Sequence, residues 1–294
     1  MKEKVIYALG FFDGVHLGHQ ALLSACRELA AEKGCKSGVI TFTSHPDTLV
    51  LGKTPALLNT PEDRDRLLRQ FSMDCVISLP FDEAMMTMPW EAFLTMLTRE
   101  YGAAGLVCGS DFRFGYKGQG NCALLEAFCA GKDIPCAIVP EQTVDGIRVS
   151  STHIRSLLDI GAMEEAVRFL GHPHILTGTV IPGRKLGRTI GIPTANLAIP
   201  RGVLAPKFGV YACRACFDGQ KYPAVTNIGT RPTVDGQGIT VEPWILDFDG
   251  DLYGKEITLE FFRFLRPEQK FDSLDALKTE IEKNALQTRA FFGK

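Results

Sequence analysis

The first half of the chain alternates short apolar runs with longer amphipathic stretches. Val5–Phe11, Gly38–Phe42, Asp74–Leu79, Gly105–Gly109 and Cys136–Val139 have strand length. Between them, Leu17–Lys33 sets Leu22, Leu23, Cys26, Leu29 and Ala30 on one side at helical spacing. Thr60-Pro61-Glu62-Asp63 reads as an N-cap, a proline in the first turn and two acids complementing the helix dipole. Pro89–Tyr101 and Asn121–Ala130 complete the helical series. Alternation of this kind predicts an α/β domain, a parallel sheet with helices on its faces.

The texture changes after Gly171-His172-Pro173. His174–Val180, Val210–Phe217, Tyr222–Asn227, Thr240–Asp247 and Glu256–Phe264 read as strands without intervening helices, and Asp218-Gly219 between two of them is a hairpin signal. These predict an antiparallel β-barrel with Ser273–Phe292 as a closing helix. The domains are therefore expected at 1–171 and 172–294, with no internal repeat and no low-complexity linker.

Composition narrows the function. At 294 residues, 45% hydrophobic and 22% charged, the chain has the balance of a globular protein with room for two domains. A net charge of -2 argues against a broad nucleic-acid-binding face, and no apolar run reaches membrane-spanning length. The apolar stretch after Met1-Lys-Glu-Lys meets Asp13 too soon for a secretory signal. Nine cysteines without a regular framework fit reduced thiols in a cytoplasm. Cys213 and Cys216, three apart in an apparent strand, point to opposite faces, so structural thiols are the better reading than a metal site.

The densest chemistry lies where the first strand gives way to the first helix, the usual ligand position in open α/β sheets. There Gly10, Gly14 and Gly18 let backbone approach a ligand among Phe11, Phe12 and Asp13. His16 and His19 share a face of the first helical turn at the positive end of the dipole, which suits polyphosphate oxygens. No P-loop occurs and no G-x-G-x-x-G opens a helix, which disfavours P-loop hydrolysis and dinucleotide-linked hydride transfer. Further on, Ser150, Ser151 and Thr152 cap a helix from which Arg155 projects towards an anionic group.

F-D-G-V-H-x-G-H resembles the signature of the HxGH nucleotidyltransferases, and its flanks resemble the bacterial FAD synthetase family, bifunctional riboflavin kinases and FMN adenylyltransferases. The resemblance implies a Rossmann-like N-terminal sheet in which Ser150, Ser151, Thr152 and Arg155 hold ATP phosphates. Gly109-Ser110-Asp111-Phe112-Arg113-Phe114-Gly115 is similar to a family stretch whose aromatics either stack on an isoalloxazine ring or brace the loop. Thr41-Phe42-Thr43-Ser44-His45-Pro46 resembles another, with Ser44 where proline is common, and Asp63-Arg64 stands where Glu-Lys is common. The flavin is thus expected at His45, Pro46, Asp111, Phe112, Arg113 and Phe114. The implied reaction is adenylyl transfer: FMN phosphate attacks the α-phosphorus of ATP while His16, His19 and Arg155 stabilise charge, with Mg²⁺ bridging phosphates.

In the barrel, Gly183, Gly187 and Gly191 lie amid Arg184, Lys185 and Arg188, which suggests a loop wrapping an anion or, equally, a solvated hairpin. In Pro193-Thr194-Ala195-Asn196, a hydroxyl and an amide oxygen two residues apart are neutral hard-oxygen ligands that fit nucleotide-bound Mg²⁺. With Asn227-Ile228-Gly229-Thr230-Arg231-Pro232-Thr233 and Val241-Glu242, this segment resembles riboflavin kinase over nearly the whole C-terminal domain. The resemblance assigns Arg231 to the flavin and makes Glu242 the general base for the ribityl 5′-hydroxyl. Pro243-Trp244 varies the usual flanking residues, and Asp247–Asp251 lacks EF-hand spacing and reads as a turn. The expected activity uses riboflavin, FMN and ATP, with Mg²⁺. Two rivals stay open: a kinase with an inactive or repurposed transferase domain, and a non-catalytic flavin or nucleotide sensor.

Overall fold

The computed structural model describes residues 3–183, 187, 191–200, 202–233 and 236–293. Contacts divide the chain into two compact units, Met1–Ser151 and Thr152–Lys294. That division falls after the first residue of α7 (Ser151–Ile160), which is followed by α8 (Met163–Leu170); the change of texture along the sequence falls after both helices.

The first unit is built on β1 (Val5–Leu9), β2 (Lys36–Phe42), β3 (Cys75–Leu79), β4 (Ala103–Gly109) and β5 (Cys136–Val139). Their order in the sheet is β3-β2-β1-β4-β5, and every pairing is parallel. All five residues of β1 are buried, as a parallel strand covered on both faces requires. Each large apolar side chain buried there contributes about 1.5–3 kcal/mol. β1 is followed by α1 (Leu17–Lys33), which ends on left-handed Gly34 with φ 62°.

α2 (Pro46–Val50) follows β2, and α3 (Pro61–Gln70) starts where the sequence places it: Thr60 Oγ1 accepts from Asp63 N at 3.0 Å. The unit continues through α4 (Glu83–Thr87), α5 (Trp90–Arg99), α6 (Cys122–Gly131) and a short hairpin of β6 (Thr143–Val144) and β7 (Ile147–Arg148). Five-residue α2 and α4 are too short to show a period, and they were not expected. Because the sheet grows in opposite directions from β1 and β4, the crevice between their carboxyl ends is the topological switch point.

The second unit is a closed antiparallel barrel in the order β10-β11-β12-β9-β8-β13, where β13 also pairs with β10. Its strands are β8 (His174–Ile181), β9 (Asn196–Ala198), β10 (Gly209–Phe217), β11 (Gln220–Thr233), β12 (Gly236–Ile245) and β13 (Glu256–Arg266). Asp218 at φ 49° and Gly219 at φ 74° make the two-residue turn between Phe217 and Gln220, in line with the hairpin signal. The sixth strand, β9, is a correction to the five expected, and it begins on the Asn196 of the P-T-A-N segment. α9 (Leu274–Phe291), capped by Ser273, is the closing helix.

Candidate active sites

The loop from β1 to α1 is tightly wound. Phe12 at φ 60° and Val15 at φ 41° are left-handed although both are fully buried, and Gly14 lies between them at φ 81°. A buried β-branched residue in that region is strained, and persists only where its surroundings hold it. Here Asp13 Oδ1 accepts from Leu58 N at 2.9 Å and Asn59 N at 3.4 Å. Thr41 Oγ1 donates to the Phe11 carbonyl and Ser151 Oγ to the Asp13 carbonyl, each at 2.9 Å. Asp13, expected among nucleotide ligands, thus spends its carboxylate on backbone N–H groups.

The fixed loop delivers His16 as the N-cap of α1, its Nδ1 accepting from His19 N at 3.3 Å. The two imidazoles stack with centroids 3.6 Å apart and planes at 12°, and Phe12 lies 5.1 Å from His19. The glycine between them has a steric reason: a Cβ on Gly18 would stand 3.2 Å from the His16 ring. Gly10 likewise makes room for the Phe12 ring, 3.1 Å from where its Cβ would be. Burial, then His16, then Arg64 hold the His19 pKa well below the usual histidine range, and its Nδ1 is buried without a hydrogen-bond partner. A neutral imidazole with an unmet hydrogen-bonding group, at the N-terminus of a helix, suits an arriving phosphate.

The sequence marks Arg64 only as half of a variant pair and gives it no role in the site. Arg64 is 1% exposed on α3, its guanidinium lies 4.2 Å over the Phe11 ring, and Nη2 donates to the Phe42 carbonyl at 2.5 Å. The signal was present: Arg64 shares the buried stripe of Leu67 and Leu68 three and four residues on. On another side Phe11 meets His45 edge to face at 4.6 Å, and His45 caps α2, whose first residue is Pro46. Phe11, Phe12, His16, His19, His45 and Arg64 therefore form one cluster.

The expected flavin stretch after β4 is divided. Phe114 is 6% exposed and packs with Phe93 in the core, so its ring braces the loop. Phe112 stacks on it at 5.5 Å, Arg113 is exposed, and exposed Asp111 pairs with Arg148 at 2.5 Å. Beyond Ser150, α7 opens on Ser151; Thr152 is exposed and Arg155, one turn on, is half-buried.

Cavities of about 410 and 350 Å³ open among the described residues of the barrel. Pro243 and Ile245 line the larger with Val180, Gly191, Phe248 and Asp249, whereas Glu242 and Trp244 line the smaller with Asn227, Arg266 and Phe271. Successive strand residues face opposite sides, so β12 is the wall between the two cavities. Thr194 lines both. The sequence marks Trp244 as a variant flank of Glu242, and the two-residue spacing sets both on the same face of the strand.

The glycines of the basic loop serve these side chains. A Cβ on Gly183 would collide with the Asn196 amide, and one on Gly187 would strike the Ile192 carbonyl and lie 3.5 Å from Thr194 Oγ1. Thr194 and Asn196 therefore present neutral oxygens beside closely approaching backbone, a donor set that fits a hard cation arriving with phosphates. Arg184 and Lys185 lie outside the described residues, as does the side chain of Arg231. Among the described residues no group of three or more His, Cys, Asp or Glu could hold a metal ion. Burial raises the thiol of Cys213 strongly and that of Cys216 to about 11, in keeping with structural thiols.

Comparison with known proteins matches residues 1–153 to the FAD synthetase family model and residues 170–292 to the riboflavin kinase model. The chain is 36% identical over 292 residues to the bifunctional riboflavin kinase/FMN adenylyltransferase of Listeria monocytogenes, covering 98% of this chain and 93% of that one. It is 37% identical over 297 residues to the Escherichia coli K12 protein of the same name, covering 99% and 94%. A crystal structure described as a macrolide-efflux protein from Streptococcus pneumoniae superposes with a TM-score of 0.89 at 29% identity, covering 98% and 95%. Among the described residues no helix is long and apolar enough to cross a membrane.

Proposed function

The chain belongs to the bifunctional riboflavin kinase/FMN adenylyltransferase family, and from that premise we propose how its residues divide the two reactions. Residues 172–294 phosphorylate riboflavin to FMN, and residues 1–171 transfer the adenylyl group of ATP to FMN, giving FAD and pyrophosphate. The observation that carries the kinase half is the alternation along β12, which sets Glu242 in one cavity and its neighbour Pro243 in the other, with Thr194 at both. Two compartments sharing one wall suit a phosphoryl donor and an acceptor alcohol.

In this reading ATP occupies the cavity of Gly191 and Phe248, and riboflavin that of Trp244 and Phe271. Glu242 takes the proton of the ribityl 5′-hydroxyl as that oxygen attacks the γ-phosphorus. Thr194 and Asn196 would hold Mg²⁺, which supplies charge neutralisation on the phosphate oxygens. The family resemblance assigns Gly183, Gly187, Arg184 and Lys185 to the same phosphates and Arg231 to the flavin, and Gly187 lines the cavity of Trp244 beside Thr194.

In adenylyl transfer no protein nucleophile is needed. An FMN phosphate oxygen forms the new bond to the α-phosphorus and pyrophosphate leaves, while the protein aligns the two and stabilises charge. The stacked His16–His19 pair at the α1 N-terminus supports phosphate binding there, and Arg155 with Ser150, Ser151 and Thr152 would extend it. His45, Pro46 and Phe112 remain candidates for the flavin side. Nine free cysteines among the described residues favour a cytoplasmic setting.

Glu242→Gln should abolish FMN formation from riboflavin and spare FAD formation from supplied FMN, and His19→Ala should do the reverse. If both folded variants lost both activities, this division of labour would be wrong.

A further inference from the structure

Arg64 is a buried cation on α3. It is 1% exposed, stacked 4.2 Å over Phe11 and bonded through Nη2 to the Phe42 carbonyl, while Nη1 is buried without a partner. Burial lowers its pKa to about 10, so it stays charged at neutral pH. Asp13, Glu62 and Asp65 are the acids whose charges act on it, and none forms an ion pair with it among the described residues. Asp13 Oδ1, moreover, already serves Leu58 N and Asn59 N. A buried charge without an ion-pair partner is costly, and it is sustained where an anion is to arrive.

Three of the six buried side-chain atoms lacking a partner among the described residues are His19 Nδ1, Asn59 Oδ1 and Arg64 Nη1. All three residues lie around this loop: Asn59 N meets Asp13, Arg64 covers Phe11, and the Arg64 charge acts on His19. We propose that Arg64 is a positioning residue whose fixed positive charge, behind the Phe11 ring, draws the triphosphate of ATP, and later pyrophosphate, onto the His16–His19 pair. The proposal rests on assigning adenylyl transfer to this site. Arg64 acts through the field it sets at the histidines, an arrangement that requires no reorganisation when substrate enters.

The test uses the full chain with Arg64→Gln, which removes the charge, and Arg64→Lys, which keeps it. FAD formation from FMN and ATP and the reverse cleavage of FAD by pyrophosphate are measured beside thermal melts. Arg64→Gln should raise KM for ATP and for pyrophosphate by roughly tenfold or more while KM for FMN stays within about twofold. Arg64→Lys should hold all three within about threefold. The His19 imidazole, followed by NMR, should titrate higher in Arg64→Gln than in Arg64→Lys. A folded Arg64→Lys as impaired as Arg64→Gln would overturn the proposal, since charge would then not be the active property. So would a folded Arg64→Gln with unchanged KM for ATP. Should Arg64→Gln not fold, Arg64→Lys decides: KM for ATP and FMN rising together by tenfold or more contradicts the proposal, and both staying low supports it. Failure of the unmodified chain to make FAD from FMN and ATP would instead remove the site assignment itself.

Discussion

Gly18→Ala separates geometry from stability at the histidine pair. The added Cβ would lie 3.2 Å from His16 Cε1 and Nδ1, inside the roughly 3.5 Å at which carbon contacts become favourable. The imidazole must yield by a few tenths of an ångström, yet it is held in a 3.6 Å stack and a 3.3 Å bond from His19 N. That bond is already at the long end of the N–H···N range, so displacement removes the cap. Losing an N-cap costs about 1 kcal/mol, and replacing a helical glycine by alanine returns about 1 kcal/mol. Net stability should therefore move by less than about 1 kcal/mol, a few degrees in Tm for a unit of this size. Catalysis has no such compensation: a misplacement near 1 Å can cost about 100-fold, and a few tenths should cost roughly tenfold in kcat/KM for FAD formation. FMN formation from riboflavin should be unchanged. Paired thermal melts and flavin chromatography make the comparison. A folded Gly18→Ala protein with full FAD-forming activity would refute the claim that this glycine sets the histidine geometry.

Two further predictions concern the second unit. His174 is 1% exposed, its Nε2 has no partner, and burial first, then His172, lowers its pKa to about 3. The folded pKa is below the unfolded value, so the unfolded state binds the extra proton; the contribution is present above about pH 6.5 and is lost as pH falls towards 3. The unfolding free energy from denaturant melts should drop by up to about 1.4 kcal/mol per pH unit from this group, and His174→Phe should flatten that part of the profile; an identical slope in the variant would exclude His174 as its source. Thr288 on α9 is fully buried with its hydroxyl unpartnered, so Thr288→Val should be neutral or stabilise by about 1 kcal/mol in thermal melts. A clear loss of stability there would mean the hydroxyl has a partner after all.

The fold was legible where local chemistry and packing agree. β1 is a continuous apolar run because both its faces are covered, and Asp218-Gly219 takes the positive φ values that its hairpin needs. β11 runs to Thr233, beyond the Tyr222–Asn227 expected, because pairing with β12 carries it through Gly229 and Pro232 against their local preference. β9 was hidden because three residues inside a glycine-rich segment carry no period, and only barrel closure makes them a strand. The histidine pair was legible because its capping, stacking and glycine are all local in sequence. Arg64 was not, since a charge is discounted on an apolar stripe until a stacked ring and a carbonyl are seen to hold it. For Phe114 the sequence leaves stacking on a flavin and bracing the loop both open, and its burial beside Phe93 favours the brace.

The most direct measurement is a time course of flavins, separated by chromatography, after the purified chain is mixed with riboflavin, ATP and Mg²⁺, with and without a chemical reductant. The account predicts FMN first and FAD after it from the one protein. FMN without any FAD, even when FMN is supplied and the flavin reduced, would contradict the role given to the His16–His19 site.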